Sequence, residues 1–316
     1  MEQRDHMICI VGPTASGKTA LSVWLAQALG GEIVSFDSMQ VYRDMAIGTA
    51  RPTPEEMAGV PHHMMGVVDP RENYSVARYV QEATGCVEDI LRRGKQPILV
   101  GGTGLYIDGL CQGRTYSDFQ PASGLRQALQ ARVQSQGLAV LWQELEQVDP
   151  ETVAKLHPHD EKRILRALEV WHTTGKPISQ HNRESQALPP RYEKVAIALT
   201  YRDRQVLYQR IDQRVDQMVA RGLVEEVQGL LNAGVPLDGP AMQAIGSKEL
   251  ARALTQGGDL AQAVEEVKRR SRQYAKRQLT WFRRDPNIEW ILLEKDQDFS
   301  SVIQDSTNYL REKGLP

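Results

Sequence analysis

The sequence predicts an α/β fold: a parallel sheet flanked by helices, interrupted by an all-helical insertion domain. Three observations predict it. Short apolar runs that read as buried strands alternate with helix-period segments over most of the 316 residues. The first such run, Met7-Ile8-Cys9-Ile10-Val11, leads directly into a glycine loop and then into a helical stretch over 20–26. From Arg114 to about Tyr192 the strand signals vanish and helix signals take over.

The glycine loop is Gly12-Pro13-Thr14-Ala15-Ser16-Gly17-Lys18-Thr19. Strand, glycine loop, helix is the context a P-loop requires. Gly12 and Gly17 let the backbone wrap around an anion, so that successive N–H groups and the helix N-terminus face phosphate oxygens. Lys18 brings a full positive charge, and the Thr19 hydroxyl is placed to ligate Mg²⁺. A P-loop NTPase-like core that binds a di- or triphosphate follows, but the loop alone does not say what happens to the phosphate.

Composition narrows the setting. Hydrophobic residues make up 41%, enough for a sizeable core, and the net charge of −2 by itself predicts no polyanionic partner. Three cysteines, far apart in the chain and in apolar surroundings, suggest buried thiols in a reducing compartment. The N-terminus runs straight into the first strand and no apolar run reaches membrane-spanning length. The expectation is a cytoplasmic protein without a membrane partner.

Along the chain, Ile33-Val34-Ser35-Phe36 is a buried strand ending at Asp37-Ser38-Met39-Gln40. In a parallel sheet ligands collect at the carboxyl ends of strands, which sends Asp37 toward the P-loop crevice. A turn or N-cap aspartate is the alternative. His62 and His63 lie on a short strand, where neighbours face opposite ways and no third ligand is near, so they read as structural rather than metal-binding. Residues 75–93 are helical, closed by Gly94. The strand Pro97-Ile98-Leu99-Val100 is closed by Gly101-Gly102-Thr103-Gly104. A phosphoryl-transferring enzyme would place an Asp there for its metal. Bare backbone and a hydroxyl instead suit close approach by a ligand, or simply a tight turn.

The insertion, 114–193, divides a core made of 1–113 and 194–316. Within it helices are expected over 125–133, 138–148, 151–156 and 162–172, opened by Asp149-Pro150 and Asp160 and closed by Gly175-Lys176-Pro177. Lys162, Arg163 and Arg166 form a basic face, joined by Arg126, against which a solvated surface stands as the bland alternative. Ile164, Leu165, Leu168 and Trp171 point elsewhere and make a small core. After the strand at 193–200, residues 204–231 are helical with a break near Gly222, and Arg210 and Arg214 lie one turn apart near the phosphate site. Another helix begins within 240–249. The long helix over about 260–284 carries eight basic and no acidic residues from Lys268 to Arg284. Arg269, Lys276 and Arg283 share a face with Arg272 beside them, interleaved with Tyr274, Trp281 and Phe282. That stripe reads as a track for a nucleic-acid backbone. A last strand at 287–292 and a tail helix complete the core.

Taken together the segments resemble the tRNA dimethylallyltransferases, also called tRNA isopentenyl transferases, of the bacterial type. The resemblance rests on the P-loop, Asp37-Ser38-Met39-Gln40-Val41-Tyr42, Gly48-Thr49-Ala50-Arg51-Pro52, His62-His63, Gly101-Gly102-Thr103-Gly104-Leu105-Tyr106 and Ala275-Lys276-Arg277-Gln278-Leu279-Thr280-Trp281. It implies that the diphosphate of dimethylallyl diphosphate sits in the P-loop with Mg²⁺. The five-carbon group then goes to N6 of the adenosine at position 37 of tRNA, in the anticodon stem-loop. Lys18, Thr19 and Arg214, the last matching the family's diphosphate-binding arginine, would stabilise the leaving group. Asp37 is the candidate general base for the exocyclic amine.

The family's tRNA contacts fall on Asp37, Ser38, Met39, Gln40 and Thr103. In the insertion, which would clamp the loop from one side, they fall on Arg126, Lys162, Arg163, Ile164, Leu165 and Arg166. Further contacts fall on Gln243, Ala244, Ile245, Gly246, Ser247 and Lys248, and on the basic helix at Lys276, Arg277, Gln278, Leu279, Thr280, Trp281, Phe282 and Arg283. A monomer is expected. The chain departs from the family in having Arg51 where lysine is common and Ser247 where tyrosine is usual. A metabolite kinase, a GTPase-like switch and a prenyltransferase acting on free adenylate are the competing readings. The glycine-tipped strand, the missing N-K-x-D motif and the basic helix argue against them in turn.

Overall fold

The apolar runs become strands β1 (His6–Val11), β2 (Glu32–Ser35), β3 (His62–His63), β4 (Pro97–Val100), β5 (Glu193–Tyr201) and β6 (Ile288–Leu293). They form one parallel sheet in the order β3-β2-β4-β1-β5-β6. The structure, a computed structural model, describes residues 6–114 and 124–315; the first five residues, on which the N-terminal expectation rested, lie outside them. In register, Ile10 of β1 stands between Val100 of β4 and Ile197 of β5. The glycine loop therefore leaves the sheet at its centre, between two strands that also end at the same edge. Being covered on both faces, the central strands are uniformly apolar rather than alternating.

The chain divides into two compact units, one of residues 1–111 and 191–316 and one of residues 112–190. In the first, α1 (Lys18–Leu29), α2 (Pro54–Met57), α3 (Val76–Arg92) and α4 (Gly104–Cys111) accompany the first four strands. Thr53 and Glu56 close a reciprocal capping box on α2, and the Ser75 hydroxyl caps α3 by accepting from the Arg78 amide at 3.1 Å. Cys9 and Cys111 are buried free thiols, and burial pushes the Cys9 thiol up.

The second unit holds α5 (Leu125–Gln136), α6 (Leu138–Val148), α7 (Pro150–Val153), α8 (Glu161–Thr174) and α9 (Ile178–Gln186). Leu129, Leu141, Leu145, Ile164, Leu165 and Leu168 form its own core. Two details differ from expectation. The helix expected over 151–156 is the single turn α7, and the polar stretch after Pro177 is a further helix. That helix forms because the buried Asp149 carboxylate caps α7 and also accepts from the Ser179 amide at 3.0 Å.

The first unit resumes with α10 (Arg204–Ala220), α11 (Leu223–Asn232), α12 (Ser247–Gln256), α13 (Leu260–Phe282) and α14 (Phe299–Glu312). Gly222, at φ 98°, makes the break between α10 and α11. No helix among the described residues is long and apolar enough to cross a membrane.

Candidate active site

The loop after β1 is shaped by backbone that side chains would obstruct. Gly12 has φ 128°, and a Cβ there would sit 2.4 Å from the Leu199 carbonyl oxygen. Gly17, at φ 91°, precedes α1 without any side-chain cap, so the first amides of that helix stay available to an anion. Ser16 ties the loop across itself by donating to the Pro13 carbonyl at 2.9 Å. Lys18 Nζ donates to the same carbonyl at 2.6 Å. Burial first, and then the Arg214 charge, push Lys18 down to about 7, with Asp37 acting in the opposite sense.

Beside the loop is a cavity of about 310 Å³. Thr14, Lys18, Thr19, Asp37 and Arg214 line it together with Met39, Met65, Ile211, Val215 and Met218. Ionic groups and an apolar wall thus share one space. Arg214 reaches it from α10, donating to the Ala50 carbonyl at 3.2 Å and the Thr14 hydroxyl at 3.4 Å. Arg210, one turn earlier, reaches the Ala15 carbonyl at 3.4 Å from an exposed position.

Asp37 satisfies both readings of its sequence. Its Oδ1 accepts from the Met39 amide at 2.9 Å and from the Gln40 amide at 3.4 Å, which makes it a turn aspartate. Its Oδ2 has no hydrogen-bond partner among the described residues, and the side chain lines the cavity. Thr103 joins the ends of β2 and β4 by accepting from the Ser38 amide at 3.0 Å. Gln40 donates to the Thr49 and Ala50 carbonyls at 3.2 and 3.4 Å and accepts from Ser35 at 3.0 Å. The histidine pair splits as its spacing predicts: His63 pairs with the buried Glu32 at 2.8 Å, while His62 lines the cavity. No metal-holding group of three or more acidic, histidine or cysteine residues occurs among the described residues.

The glycines after β4 admit a neighbour that the sequence does not show. A Cβ on Gly102 would lie 1.9 Å from Gln278 Nε2, and one on Gly104 would lie 2.1 Å from Trp281. At these two positions a close approach is made by α13, while Gly101 and Gly102 also line the cavity. Gln278 is 4% exposed; its Oε1 accepts from the Thr14 amide and its Nε2 donates to the Gly102 carbonyl, both at 3.1 Å. Trp281 Nε1 donates to Asp108 at 3.1 Å, and Phe282 is buried. Gln278, Phe282 and the half-buried Trp281 thus dock the helix, Gln278 also lining the cavity, and the exposed positions there are Lys276, Arg277, Thr280 and Arg283. Leu279 packs on Leu207 and Ile211.

The basic stripe is also shorter than expected. Lys268 pairs with Asp216 at 2.7 Å, Arg272 with Asp212 at 2.5 Å, and Arg269 and Arg270 with Glu266. Acidic residues one turn upstream and on α10 neutralise the first half of the run. Lys276, Arg277, Arg283 and Arg284 have no acidic partner among the described residues, and the three arginines lie over the rings of Tyr274, Trp290 and Trp281.

Elsewhere the expected tRNA-contact segments divide by burial. Gln243, Ala244 and Ile245 line the cavity, and Lys248 is exposed, donating to Gln243 at 2.8 Å. Gly246 is buried and Ser247 is fully enclosed, so neither side of that pair offers a surface to RNA. In the insertion, Lys162, Arg163 and Arg166 are exposed, whereas Ile164 and Leu165 belong to the core, because the helical period turns them inward. Arg126 is held by the buried Glu169 at 2.9 Å.

Residues 40–285 match the family model described as IPP transferase, and residues 5–65 match that of isopentenyl transferase. The chain is 44% identical over 309 residues to a tRNA dimethylallyltransferase of Thermoanaerobacter sp. (strain X514), covering 98% of each. It is 48% identical over 304 residues to that of Geobacter sulfurreducens, covering 95% of this chain and 96% of the other. Among solved structures, a tRNA isopentenylpyrophosphate transferase from Bacillus halodurans aligns with TM-score 0.73 at 43% identity, covering 98% of this chain and 97% of that one. A eukaryotic dimethylallyltransferase studied acting on tRNA aligns with TM-score 0.84 at 32% identity, over 99% of this chain and 80% of that one.

Proposed function

Because the chain belongs to the IPP transferase family, the tRNA dimethylallyltransferases, we propose that it transfers the dimethylallyl group of dimethylallyl diphosphate to N6 of the adenosine at position 37 of tRNA. The observation that carries this reading is the single cavity in which the anion-binding loop, Arg214, an uncommitted carboxylate oxygen of Asp37 and an apolar wall meet.

In the reaction the donor's carbon–oxygen bond breaks and a carbon–nitrogen bond forms. Diphosphate leaves with the electron pair, and the amine loses a proton. The growing charge on the leaving oxygens falls where the α1 amides, Lys18 and Arg214 converge, and such fixed groups stabilise a transition state without reorganising. Lys18 would exchange the Pro13 carbonyl for a phosphate oxygen. Met39, Met65, Met218, Ile211 and Val215 suit the five-carbon group. Asp37 Oδ2 takes the amine proton, while Oδ1 stays bound to the turn and fixes the carboxylate.

Mg²⁺ fits this site: the Thr19 hydroxyl lines the cavity beside the anion-binding loop, and Mg²⁺ is commonly held by few protein oxygens plus substrate phosphates and water. When bound it supplies further charge neutralisation. For tRNA, Lys276, Arg277 and Arg283, without acidic partners among the described residues, support a backbone contact, and Arg277 also lines the cavity. The target base must leave its stack to reach an enclosed donor.

Replacing Asp37 by Ala tests the base. Turnover should fall at least about 100-fold, in the range expected for loss of a general base, while tRNA is still bound. Normal turnover in that variant would remove Asp37 from the chemistry.

A further inference from the structure

The segment between Met45 and Arg51 supplies the carbonyls that hold the site's polar side chains. The Ala50 carbonyl accepts from Arg214 at 3.2 Å and from Gln40 at 3.4 Å, and the Thr49 carbonyl accepts from Gln40 at 3.2 Å. Ala50 does this from a left-handed conformation, φ 49°, which an alanine adopts only when its surroundings hold it there. Something must fix this loop. Internally, the Ala50 amide donates to the Ile47 carbonyl at 2.9 Å, and the Thr49 hydroxyl donates to the Met45 carbonyl at 2.5 Å. Externally, Gln40 and Arg214 hold its carbonyls, and one further side chain holds its amides. Both carboxylate oxygens of Glu226, in the first turns of α11, accept from consecutive loop amides, Ile47 and Gly48, each at 2.8 Å. Gly48 permits that approach, since a Cβ there would lie 3.1 Å from Glu226 Oε1 and from Leu223.

We propose that Glu226, which does not line the cavity, is a positioning residue that sets Arg214 for the diphosphate by fixing the Ile47–Gly48 amides and, through them, the Ala50 carbonyl. A carboxylate is suited to this because it offers two acceptors to two adjacent N–H donors, and each such bond is charge-assisted. An amide in its place keeps one acceptor and turns a donor toward the other N–H. The loop then loses half its anchor without any change in side-chain volume.

This inference rests on the assignment of Arg214 to the diphosphate. A test that separates the two is the binding of inorganic diphosphate, measured calorimetrically, to the intact chain and to Glu226→Gln, Arg214→Gln and the double variant. The expected result is a loss of about tenfold in affinity for each single variant, of the size of one charge-assisted bond. The double variant should bind no more weakly than Arg214→Gln alone, because Glu226 acts through Arg214. A loss in the double variant equal to the product of the two single losses would overturn the proposal while leaving Arg214 in the cradle. Unchanged affinity in Glu226→Gln would overturn it in the same way. Unchanged affinity in Arg214→Gln would overturn the Arg214 assignment, and the proposal with it. Should Glu226→Gln fail to fold, Glu226→Asp keeps the charge but shortens the reach, and it must show the same non-additivity with Arg214→Gln.

Discussion

Lys18 sits where a phosphate would neutralise it, and until one arrives burial holds its ammonium down at about 7. This gives a pH dependence with a definite sign. Below that value the free site already carries the charge an anion needs. Above it a proton must be taken up on binding, so affinity for dimethylallyl diphosphate should fall by about tenfold per pH unit until the bound lysine also titrates. Binding isotherms between pH 6 and 9 would show it, and Lys18→Met should lose both the affinity and the slope. A slope that survives in Lys18→Met would assign the titration elsewhere. At this scale the sequence was informative where chemistry follows from residue type. The P-loop lysine and the strand-end aspartate fall at the cavity as their positions predict. It was silent on Glu226, whose partners are two backbone amides 178 and 179 residues away and carry no side-chain signature.

The element that carries most of the consequences is α13. Its buried side joins the P-loop to the β4 loop through Gln278, and the exposed side of its C-terminal end holds Lys276 and Arg277, which have no acidic partner among the described residues. Gln278→Leu should leave the Thr14 amide and the Gly102 carbonyl without that partner. One buried and one half-buried polar group left unpaired, the buried one at about 1–3 kcal/mol, make this a destabilisation, read as a lower thermal midpoint. Diphosphate affinity should fall with it; a variant with unchanged midpoint and affinity would show that the bridge is dispensable. On the other face, reversing Lys276 and Arg283 to Glu should weaken tRNA binding and flatten its salt dependence. Reversing Arg269, already paired with Glu266, should do far less. An effect of Arg269 reversal equal to that at Lys276 or Arg283 alone would restore the full-length stripe. The stripe read too long because a charge count over 268–284 stops just short of Glu265 and Glu266, and cannot see Asp212 and Asp216 on α10. The glycines after β4 read as a ligand approach for a related reason: sequence shows that something must come close, not what.

For the whole molecule, the parallel sheet was legible from its uniformly apolar strands and the insertion from the change in period. The short polar helix α9 was not, because the amide of its second residue, Ser179, is capped by Asp149 from 30 residues away. The end of the sheet opposite the site holds a buried carboxylate that no motif announces. Glu32, in β2, is held by Arg93, Lys95 and His63, with Arg93 the largest influence keeping its carboxyl well below the usual range. A depressed carboxyl contributes stability that is present above the unfolded value of about 4.3 and lost as pH falls below it. Glu32→Gln should therefore lower stability near neutrality by about 2 kcal/mol and make the acid limb of the melting curve shallower. An unchanged acid limb would move the acid sensitivity to other carboxylates.

The central claim is that one cavity holds a departing diphosphate and an adenosine amine together. It is tested most directly by incubating the protein with tRNA, dimethylallyl diphosphate and Mg²⁺, digesting the tRNA and identifying its nucleosides by mass spectrometry. The account predicts an adenosine carrying one five-carbon unit on N6, located beside the anticodon, with one diphosphate released for each. Unmodified tRNA from active, folded protein, or a phosphorylated product formed when ATP replaces the prenyl donor, would contradict it.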